Sequence, residues 1–388
     1  MFTLIENATV FAPDSLGTRH LLVAGSKLAW IGAEELEWPR ALPLERVDVA
    51  GARVIPGLID GHAHITGGGG ESGAASKVPP LALSRFTSAG VTSVVGLLGT
   101  DDTTRTTSEL VTKARGLRDE GMSAWCWTGG YHVPPTTFSG SVRSDLAHLD
   151  VVIGAGEVAV SDHRSSQPTF DELVRLASEC HVGGLMTGKA GVLHLHMGDG
   201  KRGLELVRRA IEETELPPRV FHPTHVNRKK RLFDEALELA QHGATIDVTA
   251  YPVAKGEDAW SAADAIEAFW RAKLPVERIT ASSDGGGCLP VFDSDGRVAR
   301  MDVGTPASLV ATIAELVGRG HALERALQPF TSNVARLLRL PGKGRIEAGA
   351  DADFVVLDAR GAARSVMALG RWHVRDGKQV VRGAFEAG

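Results

Sequence analysis

Two like patterns, His62-Ala-His64 and His194-Leu-His196, place paired histidines two residues apart. On an extended strand such residues share a face, so each pair can turn two imidazoles toward one ion. A third group, His222-Pro-Thr-His225-Val-Asn-Arg228, brings two more imidazoles, and Ser282-Ser283-Asp284-Gly285 brings a carboxylate. Imidazoles from several segments plus an aspartate suit a borderline-soft divalent ion such as zinc. A lone His pair is a weak sign, and His194 and His222 read best as hydrogen-bonding residues of a polar barrel mouth. The set His62, His64, His196, His225 and Asp284 points instead to metal-assisted chemistry.

The elements around these residues alternate. Apolar, β-rich stretches fall at 57–65, 91–98, 123–129, 157–162, 192–197, 220–226, 245–251 and 279–283. Amphipathic stretches such as SELVTKARGLRDEG, FDELVRLASEC and LFDEALELAQHG lie between most of them. Gly90, Gly121 and Gly243 stand where a helix ends in a left-handed residue. Eight such units over ~280 residues match a (β/α)8 TIM-like barrel in count and length, and a doubly wound sheet is the rival. The metal-ligating candidates fall at the ends of strands, where a barrel places its active site. Residues 1–55 and 343–388 instead read as short strands with glycine-containing turns. The expected organisation is therefore a small β domain built from both termini around a barrel at 56–342.

Composition narrows the function. The 388 residues are 43% apolar and 23% charged, which suits a globular chain and excludes a disordered one. A net charge of -5, with only Arg228–Arg231 as a dense basic run, argues against nucleic acid as the partner. Three scattered cysteines give no disulfide framework and fit a reducing compartment. The N-terminal stretch lacks the pattern of a signal peptide, and no apolar run is long enough to span a membrane. A cytoplasmic enzyme is the expectation.

The stretches V-I-P-G-L-I-D-G-H-A-H and G-K-G-R-I-E-A-G-A-D-A-D-F-V-V-L-D resemble the amidohydrolase superfamily. Within it the chain resembles the isoaspartyl (β-aspartyl) dipeptidases over essentially its full length. That likeness is carried by G-G-G-G-E-S-G at 67–73, T-G-G-Y-H-V-P at 128–134, S-D-H-R-S at 161–165, P-T-H-V-N-R at 223–228 and S-S-D-G at 282–285. The resemblance implies hydrolysis of β-linked aspartyl dipeptides by a metal-bridging hydroxide, and a homo-oligomer, an octamer by family. It implies two zinc ions per chain, with His62, His64 and Asp284 on one and His196 and His225 on the other. It makes Asp284 the residue that takes and returns the proton, and Tyr131 the donor to the developing oxyanion. Glu71 matches the residue that pairs with the substrate ammonium, Arg164 and Arg228 those that bind carboxylate, and groups near Gly69 and Thr100 add hydrogen bonds.

Two positions depart from the family pattern. The family bridges its metals with a carboxylated lysine shortly before S-D-H-R, yet no lysine lies between Lys113 and Lys189. Counting back from that motif gives Glu157, whose carboxylate can bridge two cations without added carbon dioxide. Its side chain is shorter, so its strand must approach the metals, and Gly154 and Gly156 permit a bulge or close approach. The alternative is an ordinary polar glutamate beside a single metal. The second departure is Cys288, which falls where the family has a serine that helps hold substrate.

Other readings compete. G-A-G-E-V-A at 154–159 mimics a dinucleotide fingerprint, but V-A-V-S-D-H-R continues as strand where a helix should open. G-G-G-G-E-S lacks the Lys-Ser/Thr of a phosphate loop. Another amidohydrolase activity, on an N-acyl amino acid or cyclic amide, is the enzymatic rival, against which Glu71, Tyr131 and the two arginines argue. A catalytically silent assembly protein of the same fold is the non-enzymatic one.

Overall fold

A computed structural model describes residues 2–292 and 298–387. The chain opens with β1 (Phe2–Phe11), β2 (Ser15–Ala24), β3 (Lys27–Gly32), β4 (Leu44–Asp48) and β5 (Arg53–Pro56). Eight strands then alternate with helices. They are β6 (Leu58–Ala63), β7 (Val91–Gly96), β8 (Ser123–Thr128), β9 (Val152–Val160), β10 (Val192–Met197), β11 (Phe221–Thr224), β12 (Ile246–Thr249) and β13 (Ile279–Ser282). A hairpin, β14 (Cys288–Phe292) and β15 (Val298–Val303), follows the eighth of these. Strands β16 (Phe354–Leu357), β17 (Ala363–Ala368), β18 (Arg371–Arg375) and β19 (Lys378–Gln379) close the chain.

β6 to β11 form one parallel sheet in sequence order, and β12 pairs parallel with β13. A bridge from Ala63 to Gly285 returns the chain beyond β13 to the end of β6. Side chains stitch β11 to β12: Thr224 Oγ1 donates to Asp247 Oδ2 at 2.7 Å, and Asn227 exchanges bonds with the Thr249 backbone at 2.8 and 3.0 Å. This is a (β/α)8 barrel. Its strands are buried on both faces, which is why they read as near-continuous apolar runs.

The covering helices are α1 (Leu83–Thr87), α2 (Thr107–Asp119), α3 (Val142–His148), α4 (Phe170–Thr187), α5 (Glu205–Glu213), α6 (Lys230–Gln241), α7 (Ala262–Arg271) and α8 (Ala307–Gly318). Gly90, Gly121 and Gly243 take positive φ of 81°, 96° and 97°, closing α1, α2 and α6 as left-handed residues. Thr169 and Glu172 make a capping box that starts α4. Among the described residues no helix is long and apolar enough to cross a membrane.

Two boundaries differ from expectation. The fourth barrel strand begins at Val152 rather than Glu157, because its glycines do not break it. A Cβ on Gly154 would lie 2.3 Å from the Val192 carbonyl oxygen, so the missing side chain lets β9 lie flush on β10. Helix α4 continues to Thr187, past Cys180, where the amphipathic pattern of FDELVRLASEC ends.

Strands from both ends of the chain form a separate sheet, β19-β18-β17-β16-β5-β1-β2-β3, with β4 beside β1. The ends meet where Val355 pairs with Ile55 across β16 and β5. Below this seam the buried Lys343 ammonium donates to Ser123 Oγ and Asp353 Oδ2, both at 2.6 Å, and lies 2.8 Å from Asp351 Oδ2. Its three donors are thus fully used, and they tie the terminal sheet to the barrel. Lys343→Ala would strand the buried Asp353, and we expect a loss of about 3–5 kcal/mol, read from the urea midpoint. A midpoint equal to wild type would mean that the pair carries no net stability.

Candidate active site

Strand alternation on β6 turns His62 inward, and His64 follows just beyond its end; both are buried. Gly99 makes room for His64, since a Cβ there would stand 2.7 Å from the ring. Asp284, beyond β13, faces both imidazoles, with Oδ1 at 3.4 Å from His62 Nε2 and 3.1 Å from His64 Nε2. Its φ of 51° is left-handed, as is the 60° of His225 beyond β11, a conformation costly for residues other than glycine. Cβ atoms on Gly287 and Gly304 would collide with Asp284 at 2.1 and 1.9 Å, so these glycines create the space for its turn.

Glu157 reaches the same cluster through a bulge. The β9–β10 register passes from Ala155↔Leu193 to Val158↔Leu195, leaving one extra residue on β9. A Cβ on Gly156 would strike the His194 carbonyl oxygen at 2.6 Å, so glycine is what permits the bulge there. The Glu157 carboxylate then lies 3.0 Å from His196 Nδ1, 3.3 Å from His225 Nε2, 3.7 Å from His62 Nε2 and 3.6 Å from His64 Nε2. The ligand atoms form two close groups, His62–His64–Asp284 and His62–Glu157–His225. His196 stands beside the second group but turns Nε2 toward Asp162 Oδ2 at 3.1 Å.

The electrostatics suit cations. Burial drives the His225 and His194 imidazoles well below their ordinary pKa, and takes His222 to about 4 and His196 to about 3, so all four are neutral at neutral pH. Burial, and then Asp284, push the Glu157 carboxyl well above the usual range. For Asp284 burial acts upward, but the His62 and His64 imidazoles outweigh it and draw the carboxyl well below. Two facing carboxyls of which only one ionises easily are held together as anions by a cation between them. His62 Nε2 and Asp284 Oδ1 are buried with no hydrogen-bond partner among the described residues. Neutral imidazole nitrogens and carboxylate oxygens at these spacings fit one or two divalent cations.

Around the cluster lie the other predicted residues. Tyr131 is buried and its hydroxyl is 2.8 Å from His196 Nδ1. Burial, reinforced by Glu157, lifts its pKa well above the ordinary value, so it keeps its proton as a donor. Arg228 Nη1 lies 3.1 Å from His196 Nε2 and donates to the Met197 carbonyl at 2.7 Å. Arg164 Nη1 sits 3.3 Å from Glu71 Oε1, which also accepts from Thr100 Oγ1 at 3.2 Å. Gly69 bridges to Lys77, holding the glycine run beside the cluster, where a Cβ on Gly68 would meet His64 at 3.3 Å. Cys288 opens β14 and its Sγ lies 3.2 Å from Met301 Sδ.

Three carboxylates escaped the sequence reading of roles. Asp162 joins His196 to Arg164, accepting from Arg164 Nη2 at 2.8 Å and Nε at 3.0 Å. Burial opposes its ionisation, yet His196 and Arg164 hold its carboxyl far below the ordinary range. Asp60, fully buried, accepts from the Ser283 hydroxyl at 2.5 Å and the Ser283 amide at 3.1 Å, anchoring the residue before Asp284. Burial, only partly offset by these bonds, pushes its pKa to about 7. Asp247 is the third, and it accepts three hydroxyls, one from β11 and two from β13. The motifs I-D-G-H and S-D-H-R contain the first two, so adjacency to a ligand motif was the available signal.

A barrel that gathers histidines and carboxylates at the C-terminal ends of its strands defines a class of hydrolase. The family model described as "Amidohydrolase family" matches residues 53–378, and the chain belongs to that family. Two solved structures of the β-aspartyl dipeptidase from Fervidobacterium islandicum AW-1, one in complex with the β-Asp-Leu dipeptide, are similar at 41% and 40% identity. Each covers 98% of both chains with a TM-score of 0.90. Among curated relatives, the imidazolonepropionase of Salinispora arenicola is 31% identical over 39% of this chain and 38% of its own. The chain therefore spans well under half of that relative, whereas it matches the dipeptidase along nearly its whole length.

Proposed function

We propose that this amidohydrolase cleaves β-aspartyl dipeptides, releasing aspartate and an amino acid. The observation that carries the reading is 41% identity over 98% of both chains to a dipeptidase solved with β-Asp-Leu. The disposition of charge supports it: Glu71 offers an anion for an ammonium, and Arg164 and Arg228 offer forks for carboxylate beside the His–carboxylate cluster. His62, His64 and Asp284 would hold one zinc, and Glu157, His225 and His196 the second, with Glu157 shared. Bound there, the pair would supply Lewis acidity and a water that ionises near neutral pH.

The chain's own groups do the rest. Tyr131 donates its hydroxyl proton as a hydrogen bond to the oxygen that gains charge as the amide carbon becomes tetrahedral. The Asp284 carboxylate accepts the proton of the attacking water and returns it to the leaving amine. Arg164, clamped by Asp162, and Arg228 orient the substrate carboxylates, while Glu71 fixes the α-ammonium.

Regiospecificity follows from this placement. In a β-linked dipeptide the aspartyl ammonium and α-carboxylate share one carbon beyond the scissile amide. In the α-isomer the ammonium sits on the carbon next to the scissile carbonyl, two bonds from the carbonyl carbon, and at least one charged group would go unpaired. A penalty of ~2–5 kcal/mol corresponds to a preference of about 10² or more for β-Asp-Leu over α-Asp-Leu. Glu71→Ala is expected to cut kcat/KM for β-Asp-Leu while leaving metal content unchanged. Equal hydrolysis of both isomers by the wild type would return the chain to the wider range of amidohydrolase activities.

A further inference from the structure

Beneath the cluster, a line of hydrogen bonds runs from His62 across the barrel interior. His62 Nδ1 lies 2.8 Å from His194 Nε2, and His194 Nδ1 lies 2.9 Å from His222 Nδ1. His222 Nε2 lies 3.0 Å from Thr280 Oγ1, which is 2.6 Å from Asp247 Oδ1. Every member is buried, with His62, His194, His222, Asp247 and Thr280 all at 2% exposure or less. Trp127 stacks on the His194 ring at 4.9 Å and 12°, and its indole nitrogen donates to the Gly61 carbonyl at 3.2 Å. The ring of His194 is thereby held in one plane.

We propose that His194 and His222 are positioning residues which, with Thr280 and Asp247, fix the tautomer of His62 so that its Nε2 lone pair faces the cation site. Asp247 takes hydroxyl bonds from Thr224 at 2.7 Å and Ser282 at 2.5 Å as well as from Thr280, and an ionised carboxylate only accepts. Thr280 therefore spends its single proton on Asp247 at 2.6 Å, or on the other acceptor in range, the Ile246 carbonyl at 3.4 Å, and accepts from His222, which puts the His222 proton on Nε2. A neutral imidazole carries one proton, so His222 Nδ1 is a lone pair that accepts from His194 Nδ1–H. His194 Nε2 is then the acceptor for His62 Nδ1–H. His62 is left with its lone pair on Nε2, the atom that faces both Asp284 and Glu157 and has no other hydrogen-bond partner among the described residues. One carboxylate sets the polarity of four successive bonds.

A set of histidines that only filled a polar interior would have no need of a common direction. Here each distance along the line is short, the Thr280 hydroxyl has only acceptors beyond it (Asp247 Oδ1 at 2.6 Å and the Ile246 carbonyl at 3.4 Å), and the terminal carboxylate is held by three hydroxyls from the two flanking strands. A ligating imidazole fixed through its other nitrogen is more basic and better oriented than a free one, and loss of such a partner weakens metal binding by about 10–100-fold. The inference rests on the metal-centre reading of the proposed function.

Its test is metal affinity rather than turnover. Cobalt(II) titrated into the metal-free full-length chain should bind about 10–100-fold more weakly to His222→Phe than to wild type. His222→Gln can still accept from His194 and donate to Thr280, and should recover most of the loss. Melting curves identify any variant that does not fold. In parallel, nitrogen-15 spectra of the histidine-labelled, metal-free wild type should show His62 protonated at Nδ1 and His222 at Nε2. Wild-type cobalt affinity in a folded His222→Phe chain, or the opposite tautomer at either histidine, would overturn the inference. Cobalt binding with these differences but no cleavage of β-Asp-Leu would leave the inference standing and remove the dipeptidase reading. A wild type that binds no cobalt would remove both.

Discussion

Glu157→Gln is expected to bind metal far more weakly and to lose more than about 10²-fold in turnover of β-Asp-Leu, since loss of mere outer-shell partners already costs about 10–100-fold. Glu157 sits within 3.0–3.7 Å of four histidines, an anion facing them all from the β9 side. Glutamine keeps the shape and the bulge, so the strand geometry should survive. What it removes is the charge that two cations would share, along with one of the two oxygens able to ligate them. Neither the part-buried Lys189 nor the buried Lys343 can take over. Lys189 spends its ammonium on the Leu146 and Leu149 carbonyls at 2.7 and 2.6 Å, and Lys343 is locked to Asp353. Activity of the wild type should accordingly be indifferent to bicarbonate, which a carboxylated lysine would need. Metal analysis and steady-state kinetics check both points. Full occupancy and normal turnover in Glu157→Gln would make this glutamate an ordinary polar residue.

The strand ends were legible because barrel strands buried on both faces leave apolar runs punctuated by glycine. His62-x-His64 and His194-x-His196 announced a shared inward face through spacing alone. The partners of those imidazoles were not legible. Asp60 meets Ser283 across 223 positions of sequence, and Asp247 gathers hydroxyls from β11, β12's neighbour β13, and the residue that ends it. A single aspartate within an apolar run looks alike whether it faces solvent, a cation or three hydroxyls. His194 and His222 show the same limit: they read as hydrogen-bonding residues, but their direction depends on a carboxylate from another strand. The early start of β9 was hidden by its glycines: Gly154 lets the strand lie flat against β10, and Gly156 makes the bulge that the sequence left open.

Asp284→Asn should lower kcat for β-Asp-Leu by on the order of 10²–10⁴ with a much smaller change in KM. The substitution is a gentle one for the backbone. Asparagine tolerates the left-handed φ of 51° better than almost any other residue, and its side chain fits the space that Gly287 and Gly304 leave. Its carbonyl oxygen can still take the place of Oδ1 beside His62 Nε2 and His64 Nε2, so a cation can still be held. The amide has no basic oxygen with which to accept a proton, and none to return to a leaving amine. A structural role alone would shift melting and metal content together with rate. Proton transfer instead predicts a rate that collapses while folding and metal occupancy hold. Turnover within a few-fold of wild type would hand the proton to another group, and Asp162 is poorly suited to it, being tied already to His196 and Arg164.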